Sequence, residues 1–454
     1  MADPTERSST YPGSTSTTSP TGTAGTAGTA GTAGTTDRPG PTNLAGPTRP
    51  AADTAPEGAG TRPRPRLDLL PELTARFAAT AAEHDRTGTF PTANIQALHA
   101  SGLLSLTIPV RYGGAGAGLT TVTEVLGAVA RGEPATALVL AMNLLFHAHV
   151  GDSPTWPAGT YEQVVASCLD EGALINALRV EPDLGTPARG GVPATTARWT
   201  GDGWEITGHK TYATGAPVLR WMQVWAATDP ATDPQPPPSG GPRVGSFLVP
   251  ARTPGITIVR TWDHLGMRAT ESHDVVFDRV RVGADAAVGL PAGDTPLPFA
   301  PAAAAWNALA IASIYLGVAE AARDWLVGYL HERTPTNLGA PLSSLPRFQS
   351  AVGEIEVALA NARSLVLAIA QRSDAADPDV PAQANGVKTA VTAAAVKAVG
   401  DAVALIGNPG LTRANPLERH YRDVLCSRIH TPQDDVVYAT AGRTALGLPA
   451  AGPR

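Results

Sequence analysis

The spacing of apolar positions changes period twice along this chain. From Leu67 to about Asp170 it is helical, and Leu70, Leu73, Phe77 and Ala81 fall on one face. Pro91 to Leu103 predicts a short helix ended by Gly102, and Thr121 to Arg131 and Ala135 to His149 predict two more. The Gly-rich run Ile108-Pro-Val-Arg-Tyr-Gly-Gly-Ala-Gly-Ala-Gly118 reads as a loop. From Ala173 the pattern turns to short alternating runs. Strands are expected at Ala173–Arg179, Ala194–Thr200, Trp204–Ala213, Met222–Ala227, Gly245–Val249, Ile256–Arg260 and His273–Val282. Gly201-Asp-Gly-Trp204 is a hairpin signal between the second and third of these. Such a series predicts a small β-barrel or sandwich.

Helical period returns near Phe299, in Ala-rich runs at Ala302–Leu330, Ser343–Arg372 and Ala382–Ile406. Two shorter helices follow. Asn415 and Pro416 are expected to open the first as N-cap and first helical residue. Thr431 and Pro432 are expected to open the second, with Asp434 closing a capping box. The break between them carries one histidine, His430. The fold class is α+β, with an N-terminal helical domain over 67–172, a central β-domain over 173–284 and a C-terminal helical bundle over 285–454. Residues 1–66 are rich in Ser, Thr, Pro and Gly, with a Thr-Ala-Gly repeat from Thr23 to Gly34, and read as a disordered tail.

Composition narrows the function. A net charge of -6 over 454 residues argues against a nucleic-acid partner, whose phosphates demand a basic face. The two cysteines, Cys168 and Cys426, give neither a disulfide framework nor a metal-ligand spacing. His147 and His149 are two apart on a helix, so at most one is expected to face inward, and no metal site follows. No stretch reads as apolar enough for long enough to span a membrane, and no secretory signal is evident, so the cytoplasm is expected.

Five segments, in this order, resemble signatures of the acyl-CoA dehydrogenase superfamily. They are Leu104–Gly116, Glu181-Pro182, Gly208-His-Lys-Thr-Tyr-Ala-Thr-Gly215, Leu265-Gly-Met-Arg-Ala-Thr-Glu-Ser272 and the stretch around Arg422-Asp423. The resemblance covers roughly Leu67 to Leu448 and implies that family's fold, with a flavin held between domains. It implies flavin contacts for Thr186, Tyr212 and Thr214, and for Arg333 a reach to the adenylate end of FAD in a neighbouring subunit of a homo-oligomer, tetramer or dimer. The match is thinner there: Val180 and Ala177 replace a threonine and an aromatic, no Phe-Gly follows Arg333, and Ala404 stands where a glutamine is usual. FMN, or reduced flavin taken from a partner reductase, therefore stands beside FAD. Lys210 and Arg268, inside matched motifs, read as phosphate contacts or as solvated turn charges.

The same resemblance implies a reaction and questions it. A family desaturase of acyl-CoA thioesters uses a glutamate eight residues after the Arg-Asp pair, or one on an earlier helix. Those positions are Thr431 and, approximately, Asn307, and neither side chain is a base at neutral pH. Flavin-dependent monooxygenases on this fold carry a histidine seven residues after the pair, which helps form and hold a flavin hydroperoxide. His430 matches it. Its bland alternative is a histidine fixed between helices by a carbonyl or by Asp434. Three readings stay open: an acyl-CoA dehydrogenase-like enzyme, a monooxygenase acting on a small molecule, and a non-catalytic scaffold.

Overall fold

The computed structural model describes residues 64–449, except 152, 154, 158, 187–190 and 293–300. All but the last three positions of the expected tail lie outside the described residues. Five helices come first: α1 (Leu70–Thr87), α2 (Thr92–Ala100), α3 (Leu119–Gly132), α4 (Pro134–Val150) and α5 (Thr160–Glu171). Proline in the first turn opens α1, and Gly88, in the left-handed region at φ 67°, ends it. Leu73, Phe77 and Ala81 are buried, as their spacing requires. α4 is buried on nearly every face and is the centre of this part.

Eight strands follow: β1 (Leu174–Leu178), β2 (Thr196–Trp199), β3 (Gly203–Ala213), β4 (Leu219–Thr228), β5 (Val244–Pro250), β6 (Ile256–Val259), β7 (His273–Gly283) and β8 (Ala287–Gly289). They form one mixed sheet in the order β6-β7-β3-β2-β4-β5-β8, with β1 also pairing β4. β1 and β2 run parallel to β4, and the other pairings are antiparallel. The Gly201-Asp-Gly turn does join β2 to β3, with Trp199 opposite Trp204. β8 went unpredicted because its three residues are too few to show a period.

The C-terminal bundle comprises α6 (Pro301–Glu332), α7 (Pro346–Asp374), α8 (Val380–Ile406), α9 (Leu417–Leu425) and α10 (Asp434–Ala445). α6 lies close on α3, because a Cβ on Gly317 would collide with the carbonyl of Gly127. One hydrophobic cluster runs from α1 through the sheet to α9.

Three expectations need correction. α6 and α8 are each long and apolar enough to cross a membrane by length and composition. Their alanines raise the mean hydropathy, yet 72% of the apolar window of α6 and 50% of that of α8 are buried inside the structure, as core helices of a bundle are. Pro416, not Asn415, is the N-cap of α9, and the Asn415 amide donates instead to the Pro409 carbonyl. α10 begins at Asp434 with Gln433 as N-cap, so Thr431 caps nothing.

Candidate functional site

The three parts of the chain meet at α9. Its buried positions include Leu417, His420, Asp423 and Val424, so the apolar stripe carries Asp423 inward with it. Asp423 accepts the backbone N–H of Met267, in the loop before β7, at 2.6 Å. Burial pushes its carboxyl up to about 7. Arg422 donates to both oxygens of Asp85 on α1, at 2.9 and 2.6 Å. It also reaches Glu418 at 2.7 Å and the Leu265 carbonyl at 2.8 Å. Gly266 has to be glycine, since a Cβ there would collide with the Arg422 carbonyl. Arg268 donates to the Asp85 and His264 carbonyls and to Asp263, so it serves this junction.

That same loop leads to the sheet edge on which Tyr212 and Thr214 lie. β3 bulges here, its register with β7 shifting between Lys210 and Ala213. Tyr212 takes a left-handed backbone, φ 57°, and the residue is 57% exposed. A non-glycine residue held this way costs roughly 1–3 kcal/mol, and such strain gathers at ligand sites. The ring lies edge-on to Trp262 and His264, which stack on each other with centroids 3.6 Å apart. Thr214 Oγ1 is 3.0 Å from Ser272 Oγ, which is 2.8 Å from Thr270 Oγ1, which donates to the Met267 carbonyl. An open aromatic face beside hydroxyls fits a planar ring with polar edges, such as an isoalloxazine.

Thr186 is half-buried just after the Glu181–Gly185 bridge. Lys210 is neither solvated nor open to a phosphate. It is fully buried, 2.6 Å from Glu181, whose carboxylate also accepts from Thr195 and the Ala194 N–H. Arg333 is exposed one residue beyond α6, and no contact among the described residues joins it to the Tyr212–Thr214 edge.

His430 is fixed neither by Asp434 nor by a carbonyl. Its Nε2 lies 2.8 Å from Tyr315 Oη on α6. Tyr315 is fully buried, and His430 is the one partner of its hydroxyl among the described residues. The phenol proton therefore goes to Nε2, because otherwise it would be buried unpaired. This assigns the ring proton to Nδ1, which has no partner among the described residues. Burial raises the phenol well above its usual range, so Tyr315 stays protonated. Burial, with Lys388 adding to it, pulls the imidazole down to about 4, so it is neutral at pH 7. Thr431 and Asn307 do meet: the Asn307 amide donates to the Thr431 carbonyl at 3.0 Å.

Sequence reasoning missed Tyr315 and Lys388. Both left a mark. Lys388 shares a helical stripe with Ala384, Val391 and Ala395, all buried, and Tyr315 interrupts an apolar run with one polar tip. Of the other histidines, His147 is buried against Tyr161, while His149 lies edge-on to Trp306. Among the described residues no group of three metal-ligating side chains gathers.

These histidines predict the acid limb of stability. Burial lowers His147 and His420 to about 3, and His149 and His430 to about 4, against 6.5 for a free imidazole. Each depressed histidine stabilises the fold fully above its unfolded pKa and loses that contribution as pH falls toward the folded value. Asp423, raised to about 7, acts oppositely, favouring the fold as pH drops from 7 toward the usual carboxylate range. At about pH 5 unfolding should take up roughly three protons from these five groups, four to the histidines less one lost by Asp423. Denaturation midpoints should fall steadily below about pH 6.5, and a flat profile down to about pH 4.5 would refute the burial of these imidazoles.

Helices, a mixed sheet with an aromatic and hydroxyl edge, and a helical bundle are the frame of a flavin-dependent oxidoreductase. Sequence models of the acyl-CoA dehydrogenase N-terminal, middle and C-terminal domains match residues 72–163, 179–280 and 298–445. The chain belongs to the acyl-CoA dehydrogenase family. It is 35% identical to "Putative acyl-CoA dehydrogenase YdbM" of Bacillus subtilis (strain 168) over 373 residues, 82% of this chain and 94% of that one. Among solved structures it resembles KijD3 in complex with FMN and dTDP-3-amino-2,3,6-trideoxy-4-keto-3-methyl-D-glucose, with TM-score 0.71, 29% identity and coverage of 84% and 93%. It also resembles the nitrososynthase of Micromonospora carbonacea var. africana, with TM-score 0.70, 27% identity and coverage of 84% and 96%.

Proposed function

We propose that this protein is a flavin-dependent monooxygenase on the acyl-CoA dehydrogenase fold, with His430 as its working side chain. The observation that carries this reading is the pairing at His430: a neutral imidazole, oriented by Tyr315, with Nδ1–H unpartnered among the described residues. The two positions where a desaturase would hold its carboxylate are Thr431 and Asn307, neither a base at neutral pH, and the Asn307 amide is bonded to the Thr431 backbone carbonyl. Reduced flavin, when bound, would supply two electrons to dioxygen, one oxygen entering the substrate and the other leaving as water. His430 would donate its Nδ1 hydrogen bond to negative charge developing on oxygen, and its neutrality keeps that donor in one tautomer. Tyr315 would hold the ring in place. Tyr212 would pack on the flavin ring and Thr214 would bond its polar edge, with Thr186 further along the cofactor.

FMN, or reduced flavin delivered by a partner reductase, suits the chain better than tightly held FAD, because no Phe-Gly follows Arg333 and Ala404 offers no polar group. KijD3 is described with FMN, which agrees. We retain the division at 67–172, 173–284 and 285–454 as functional units. A homo-oligomer in the cytoplasm fits the C-terminal surface: α10 has no buried residue, and Val436, Tyr438 and Leu446 are exposed on it. The likeness to YdbM supports the second reading, an acyl-CoA dehydrogenase with an unassigned base.

Rapid mixing of the anaerobically reduced, FMN-loaded protein with oxygen tests the proposal. A slow phase before oxidised flavin returns is expected. Direct single-phase return would favour the dehydrogenase reading, and failure to retain any flavin would favour a scaffold. Thr214→Ala should weaken FMN binding about five- to tenfold, the loss of one hydrogen bond. Unchanged affinity in a fluorescence titration would remove Thr214 from the site.

A further inference from the structure

Residues 430–433, between the short helical turn after α9 and the start of α10, belong to no helix, yet they carry the imidazole assigned above. A segment without its own hydrogen-bond ladder must be held from outside. Asn307 on α6 holds the Thr431 carbonyl at 3.0 Å. The other holds come from α8. Lys388 is fully buried, and its Nζ donates to the Pro432 carbonyl at 3.0 Å and to Asp434 Oδ1 at 3.3 Å. Thr389, the next residue, donates to the same Asp434 oxygen at 3.2 Å.

A buried ammonium is costly unless it is bonded and paired. A glutamine could donate to a carbonyl without that cost, so satisfying the backbone alone does not explain a charge here. The position sits on the buried stripe of α8, where alanine or valine is the rule in this helix. What the charge adds is a fixed positive pole on the segment that carries His430.

We propose that Lys388 is a positioning residue for His430: its ammonium clamps the 431–434 segment and so sets the direction of the imidazole. Every charged or titratable neighbour has a place in this account. Tyr315 on α6 bonds the ring, and Asp423 and Cys426 lie behind Tyr315. Asp434 on α10 pairs with Lys388 itself. Arg428 and Asp435 are exposed, and His149 on α4 lies across Trp306, the neighbour of Asn307. Among the described residues, Lys388 is the charged group that acts on the ring in addition to burial. Burial together with Lys388 already accounts for the depressed imidazole.

The inference rests on the proposed function only in naming His430 as the working group, and its test needs no turnover. Full-length protein, Lys388→Gln and Lys388→Met are treated with diethyl pyrocarbonate across about pH 5 to 8, and carbethoxylation of the His430 peptide is followed by mass spectrometry. Only neutral imidazole reacts. In the parent the His430 rate should be flat once corrected for the reagent. In both variants the midpoint should move upward, because the cation that adds to burial in lowering the imidazole is gone. Amide exchange over 430–434 should quicken about tenfold in Lys388→Met and less in Lys388→Gln, which keeps a donor. An unmoved His430 profile in both variants overturns the proposal. So does loss of the folded state in both, which would make Lys388 a core residue of the bundle. If the His430 profile shifts but rapid mixing shows no slow phase, Lys388 still positions the ring and the monooxygenase reading alone fails.

Discussion

His430→Ala should leave the fold intact and abolish the slow phase of flavin reoxidation, cutting product formation by about 10²–10⁴-fold, the range for losing one positioned proton donor or acceptor. The fold should survive because His430 is half-buried, outside any helix, and bonded to a single partner. The loss should be large because nothing nearby replaces it. The Thr431 hydroxyl is no base at neutral pH, the Asn307 amide is bonded to the Thr431 carbonyl, and Asp434 is held by Lys388 and Thr389. Electrons from reduced flavin would then pass to oxygen without reaching substrate, and hydrogen peroxide should account for the oxygen consumed. Tyr315→Phe tests the orientation. It removes the proton donor to Nε2 and frees the ring to change tautomer, so the slow phase should shorten by about tenfold rather than vanish. Full activity in His430→Ala would return the histidine to a structural role and move the search to the dehydrogenase chemistry of the family.

Much of this arrangement could be read from the chain, and the reasons differ by element. The helices and seven of the eight strands were legible because their periods repeat several times, as at Leu73, Phe77 and Ala81. Tyr212, Thr214 and His430 were singled out only through motif likeness; neither the bulge that exposes Tyr212 nor its positive φ has a sequence signal. The capping patterns at Asn415 and Thr431 misled, because tertiary bonds outweighed local ones. Asn415 is used by Pro409, and the Thr431 and Pro432 carbonyls are taken by Asn307 and Lys388. Lys210 misled in the opposite direction. It sits near the end of a strand, where charge is usually solvated, and is instead sealed against Glu181, 29 residues earlier. Partnerships over that range leave no local pattern.

Arg422→Ala should be strongly destabilising, by roughly 3 kcal/mol, at the low end of the cost of leaving one member of a buried pair alone because this pair is part-buried. Asp85 and Glu418 would both lose their cation, and both are largely shielded from water. The effect should reach the flavin edge as well. Arg422 also bonds the Leu265 carbonyl, at the head of the loop whose Met267 carbonyl receives Thr270, whose hydroxyl meets Ser272, which meets Thr214. FMN affinity should therefore fall in Arg422→Ala even though Arg422 touches no part of the proposed flavin edge. Urea denaturation and FMN titration of Arg422→Ala, Asp85→Ala and the double variant separate the two effects. The double variant should be more stable than the sum of the single losses implies, because one of the two stranded carboxylates is gone. Its FMN affinity should remain low, because the Leu265 carbonyl is still unheld. If flavin binding recovers along with stability, the loop answers only to overall fold stability. If stability recovers and flavin binding does not, α9 sets the flavin edge through that loop, which would explain why one short helix carries both Arg422 and Asp423 immediately before the segment bearing His430.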